Sequence, residues 1–188
     1  MTANKYQNKV AKILYAIFGE KLVKTEWDSV KYDSHFANHK LVYAPRIDIA
    51  VGPFNSYKDL DIGIDKAELM QSHPFTKELI NRVFKHRETM DKIWNSISRC
   101  YLAIEIEFSG SSKHILGSII NASVSGSIAI IITSNNHFKK VNRISKYLMR
   151  LEGLERLEIN TLRNLIIFKE NEFLEFLQIF KDKNSEIK

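Results

Sequence analysis

YLAIEIEFSGSSKHILGSIINASVSGSIAIIIT, residues 101–133, reads as strand, helix, strand, and that order decides the fold class. From Tyr101 to Phe108 the pattern alternates. Leu102, Ile104, Ile106 and Phe108 point one way, and Ala103, Glu105 and Glu107 point the other. Ser109-Gly110-Ser111-Ser112 ends the alternation, after which Ile115, Leu116, Ile119 and Ile120 recur at helical spacing over residues 112–123. Gly126 turns the chain into Ser127–Thr133, an Ile-rich run that suits a strand covered on both faces. A crossover of this kind predicts a parallel strand pair with right-handed connection.

Working outward, residues 4–18 predict an amphipathic helix with Tyr6, Val10, Ile13, Leu14, Ile17 and Phe18 as its apolar stripe and Gly19 as its stop. Gln7 precedes Val10, Ala11 and Leu14 by three, four and seven residues, which puts an amide on the inner edge of that helix. A short strand is expected near Leu22 and Val23, and a longer one over Leu41–Val51, closed by Gly52-Pro53. Residues 55–65 read as loop, and Leu79, Ile80, Val83, Phe84, Met90, Ile93, Trp94 and Ile97 predict a helical segment from Thr76 to Ser98. Toward the C-terminus a helix over 137–151, a strand over 164–169 and a helix over 171–182 follow. The whole is one α/β domain without repeats or linkers.

The chain has 188 residues, 44% of them hydrophobic, with only 7 Gly and 3 Pro, enough for an ordered core. No apolar run approaches the roughly 20 residues of a membrane span, and the start carries no signal-peptide stretch, so a cytoplasmic protein is expected. One cysteine, Cys100, excludes an internal disulfide and reads as a packing residue. Lys and Arg exceed Asp and Glu by 28 to 22, a net charge of +6 that favours a polyanionic partner.

Against that basic background, Asp48 in YAPRIDIAV and the pair Glu105 and Glu107 stand among apolar neighbours. A carboxylate buried without a partner is costly, so acids in such strands need a cation or several donors. Residues i and i+2 on a strand are about 6.6 Å apart, close enough to lean onto one metal centre. Three acids converging on one spot point to a hard divalent cation, magnesium, manganese or calcium rather than zinc. The competing reading is an exposed sheet face where each acid pairs with Lys or Arg.

The order of these features resembles the PD-(D/E)XK nuclease superfamily, which includes many type II restriction endonucleases, resolvases and repair nucleases. The resemblance rests on a leading helix with an inner Gln, a strand bearing Pro-x-x-Asp, a strand bearing Glu-x-Glu, then a helix and an apolar strand. It implies a restriction-endonuclease-like central mixed sheet flanked by helices, with residues 66–98 as a helical insertion. It further implies Asp48 and Glu105 as metal ligands and Gln7 as the family's helical Glu/Gln. Glu107 stands where most members carry Lys, as Glu does in some restriction enzymes, and it ligates a metal or accepts a proton from water. Lys113 and His114, one turn into the next helix, are then candidates for the lysine's task. The implied cofactor is magnesium, with manganese as substitute, and the implied partner is double-stranded DNA. Cutting two strands implies a homodimer or a heteromeric enzyme with this chain as catalytic subunit. A structure-specific resolvase or repair nuclease, and a non-catalytic DNA-binding module, are the alternatives.

Lys139, Arg143, Lys146 and Arg150 recur at i, i+4, i+7 and i+11, a basic stripe that is either a solvated helix face or a DNA-backbone contact. Lys77, Arg82, Lys85 and Arg87 are further candidates for DNA contact. Asp59–Asp65 superficially matches a calcium loop, but Met70 occupies the closing position that needs a bidentate acid. His35 and His39 have i, i+4 spacing without a third zinc ligand.

Overall fold

The computed structural model describes residues 1–29, 46–54, 72–83, 98–153, 162 and 164–185. In chain order its elements are α1 (Ala3–Phe18), a single 3-10 turn (Glu20–Leu22), β1 (Val23–Trp27), β2 (Ile47–Val51), α2 (Pro74–Val83), β3 (Cys100–Glu107), α3 (Ser112–Ser125), β4 (Gly126–Thr133), α4 (Phe138–Gly153), β5 (Leu165–Lys169) and α5 (Glu170–Ser185). The strands form one mixed sheet in the order β1-β2-β3-β4-β5. β1, β2 and β3 pair antiparallel; β3, β4 and β5 pair parallel. The chain is thus α/β, with the expected parallel β3–α3–β4 crossover.

Local chemistry explains the helix ends. The Thr2 hydroxyl accepts from the Lys5 amide and caps α1, which stops at Gly19 with φ of +87°, a conformation suited to glycine. The Ser111 hydroxyl accepts from the His114 amide at 3.2 Å and starts α3 immediately after the strand of acids.

The sheet is covered on both sides. Tyr6, Val10 and Leu14 of α1 and Phe173, Phe176 and Leu177 of α5 pack on Ile49, Leu102, Ile104, Ile128 and Ile130. The Tyr6 hydroxyl donates to the Glu170 carbonyl at 2.7 Å and fastens α1 to the start of α5. On the opposite face, Ile115, Ile119 and Ala122 of α3 and Val141 and Leu148 of α4 cover Ala50, Ala103, Ala129 and Ile131. Ala50, Ala103 and Ala129 lie in register across three strands, a row of short side chains under α3. All eight residues of β3 are buried, so Glu105 and Glu107 do not lie on a solvated face.

Element boundaries shift from expectation by a few residues, and Gly126 changes role. Its backbone is extended, with φ of −97°, and it opens β4 rather than making a turn. Glycine is required by proximity: a Cβ there would stand 2.8 Å from Ala103 Cβ and 2.5 Å from the Ile128 carbonyl oxygen. Of the expected strand 41–51, residues 46–51 are described and Ile47–Val51 form β2. Of the expected helix 76–98, the part to Val83 is described. The loop 55–65, His35 and His39, Lys85 and Arg87 lie outside the described residues.

Gly126→Ala is therefore expected to cost more than about 2 kcal/mol, because backbone and Ala103 flank the added methyl. Gly117→Ala, with open space at its Cβ, is expected to be neutral or stabilising. Urea unfolding of the two variants checks both signs.

Candidate functional site

β2 and β3 bring two acids face to face. Ile49 pairs with Ile104 and Ala50 with Ala103. Continuing that register one step sets Asp48 opposite Glu105, on the face covered by α3. The two carboxyl groups are within hydrogen-bonding reach of each other. Each also has a fixed neutral donor. Asp48 Oδ2 accepts from the Ile106 amide at 2.7 Å, and Glu105 Oε1 accepts from the Asn121 side-chain amide at 2.9 Å. Gln7 lies where its spacing puts it, buried at the inner edge of α1. Its Nε2 donates to the Asp48 carbonyl at 2.7 Å and to Glu26 Oε1 at 2.9 Å.

Electrostatics follow from this crowding. Burial is the largest influence on Asp48 and pushes its carboxyl above the usual range. The Ile106 amide opposes that shift, while the charges of Glu26 and Glu107 reinforce it. Glu105, 6% exposed, is raised by burial first and by the Asp48 charge second, with Asn121 pulling the other way. Two carboxylates this close, with Glu105 buried and Asp48 half-buried, cannot both ionise cheaply. They share a proton or need a cation.

Glu107 is only 4% exposed, but its carboxylate is already engaged. The Ser118 hydroxyl donates to Oε1, and His114 Nδ1 lies 3.4 Å from the same oxygen. Gly110 lies against the other carboxylate oxygen, and a Cβ there would oblige the Glu107 side chain to shift. Of the three acids expected at one metal site, Asp48 and Glu105 meet, and Glu107, whose charge bears on both, is held at Oε1 by Ser118 and His114 of α3. Among the described residues no group of three His, Cys, Asp or Glu side chains is arranged to hold a metal ion.

Lys113 is exposed on the first turn of α3 and makes no described contact with the acids. Lys139, Arg143, Lys146 and Arg150 are all exposed on α4, and Lys77 is exposed on α2. Four contributors escape sequence reasoning. Ser118 and Asn121 are polar positions on a helix whose isoleucines draw the eye, yet their three-residue spacing puts both over the acids of β3. Lys140 donates to the Gly110 carbonyl at 2.9 Å and ties α4 to the loop after β3. Glu26 adopts a left-handed backbone with φ of +49°, uncommon for a residue with a side chain. No sequence pattern announces that.

Among the described residues no helix is long and apolar enough to cross a membrane. Comparison with known proteins finds no matching family model, curated protein or solved structure.

The raised carboxyls have a definite linkage sign. The folded protein holds these protons more tightly than the unfolded chain. Their stabilising contribution is complete below about pH 4 and is lost as pH rises through the higher folded values. Glu105→Gln removes the charge and keeps the shape. In metal-free buffer it is expected to unfold with the wild type near pH 4 and to exceed it by more than about 1 kcal/mol at pH 8. Thermal melts across that range check the crossover; parallel curves would contradict the shared-proton pair.

Proposed function

We propose that this chain is a metal-dependent endodeoxyribonuclease of PD-(D/E)XK type, hydrolysing phosphodiesters of duplex DNA. The simplest form is a type II restriction endonuclease or its catalytic subunit, working as a homodimer or beside a second chain. The observation that carries this reading is the opposition of Asp48 and Glu105 across β2 and β3, inside a protein of net charge +6. Their chemistry fits magnesium or manganese: two hard oxygen donors that burial and mutual repulsion make unfavourable as free anions. Such an ion, when bound, supplies Lewis acidity toward a phosphate oxygen and lowers the pKa of water.

The residues of the chain do the rest. Asp48 and Glu105 would hold the ion, and the Ile106 and Asn121 amides orient their carboxylates. Gln7 pins the backbone of Asp48 and so sets the depth of β2 relative to α1. Glu107, held by Ser118 and His114, would accept a proton from the attacking water or serve as a further ligand to the ion. Lys113, beside the amides at the start of α3, steadies a phosphate oxygen.

The engagement of Glu107 also favours a second reading. With the family's lysine replaced and the third acid occupied, a DNA-binding module without catalysis fits the same residues. Plasmid cleavage with magnesium separates the two. Asp48→Asn and Glu105→Gln are each expected to lower the rate at least about a hundredfold while leaving DNA binding within a few-fold. Discrete fragments support a restriction enzyme, and cutting confined to four-way junctions supports a resolvase. Lys113→Ala is expected to lower the rate at least tenfold; an unchanged rate would remove Lys113 from the site. A wild-type chain that binds DNA but never cuts it, alone or with a partner subunit, would leave the binding module.

A further inference from the structure

We infer that the outward face of α4 is a docking track for the phosphate backbone of duplex DNA, beginning at the loop that follows the acids of β3. The inference rests on the nuclease reading for the identity of the polyanion, and deepens it by naming the surface that holds the substrate.

Charge and exposure carry the argument. Lys139, Arg143, Lys146 and Arg150 are exposed, and none is paired with an acid among the described residues. Val141, Ser145 and Leu148 are buried on the opposite side of the same helix, so the cations face directly outward. They span eleven residues, roughly 16 Å along the axis. Of the sixteen residues in α4, five are cations and one is an acid, Glu152, which falls beyond the last cation. Like charges spaced three and four apart on a helix repel one another, and a row of phosphates relieves that repulsion. Tyr147 stands 56% exposed on the same side, flanked by Arg143 and Arg150 at helical spacing. Tyrosine hydroxyls are common donors to DNA phosphates.

Position carries the rest. Lys140, next to the first cation of the row, donates its ammonium to the Gly110 carbonyl, and Gly110 backs onto the Glu107 carboxylate. That tie sets the Lys139 end of the track beside the loop leaving the acids, with the Arg150 end farther away. A strand lying along α4 is thereby led to the loop at Gly110 that follows the acids of β3. α1 packs on the other face of the sheet, so its exposed Lys5, Lys9 and Lys12, with Lys21 just beyond, form a matched set of cations away from this track.

The test uses the full chain in EDTA, so that nothing is cut, with a fluorescent mixed-sequence duplex titrated by anisotropy at several salt concentrations. The variant K139A/R143A/K146A/R150A is expected to bind at least tenfold more weakly near 0.1 M salt. It should also flatten the plot of log affinity against log salt by about 3 to 4, near 0.9 per lost contact. K5A/K9A/K12A/K21A is expected to keep most of the slope. Equal flattening in both variants would reduce the effect to general charge and overturn the track. So would an α4 variant that binds like wild type, or tighter binding to duplex RNA than to DNA. Matching thermal melts show that each variant is folded. If wild type never cuts DNA with magnesium, alone or with a partner subunit, but the α4 slope still falls, the nuclease reading fails and the track stands. If cutting depends on Asp48 while the slope is unmoved, the reverse holds.

Discussion

Two carboxyl groups facing each other inside a covered sheet are the constraint on which the rest of this molecule depends. Burial alone would raise either acid, and neighbouring charge raises both further, so Asp48 and Glu105 together are a source of instability in the free chain. Neutral donors from Ile106 and Asn121 soften the cost without cancelling it. A buried acidic pair of this kind is stable only with a shared proton or a cation. Its occurrence at the junction of the antiparallel and parallel halves of the sheet gives it a functional reading.

Helix α3 decides how the site is divided. Running back over β3, it sets His114 and Ser118 on Glu107 and Asn121 on Glu105, so that one helix face serves both acids differently. The row of alanines in β2, β3 and β4, with Gly126 where the chain leaves α3, brings that helix close enough for short side chains to reach. Packing and chemistry here are one arrangement. Loosening the alanine row would move the donors as well as the core.

Much of this was legible in the residues. Periodicity located α1, β3, α3, β4, α4, β5 and α5, since each buries a continuous stripe or run. The inner position of Gln7 followed from helical spacing, and the two acids of β3 from alternation. What escaped depends on tertiary contact. The engagement of Glu107 depends on Ser118 and His114, which α3 brings to it. The left-handed backbone of Glu26 lies within β1, where residue type alone gives no sign of it. Gly126 reads as a turn residue because glycine usually supplies conformational freedom; in this fold it supplies space.

The most direct measurement is calorimetric titration of the metal-free chain with manganese at pH 7.5, in two buffers of different protonation enthalpy. Saturable binding with net proton release is expected, because a bound cation would displace the proton that Asp48 and Glu105 share, and both features should vanish in Asp48→Asn. No saturable binding, or binding indifferent to Asp48 and without proton release, would contradict a metal site at this pair.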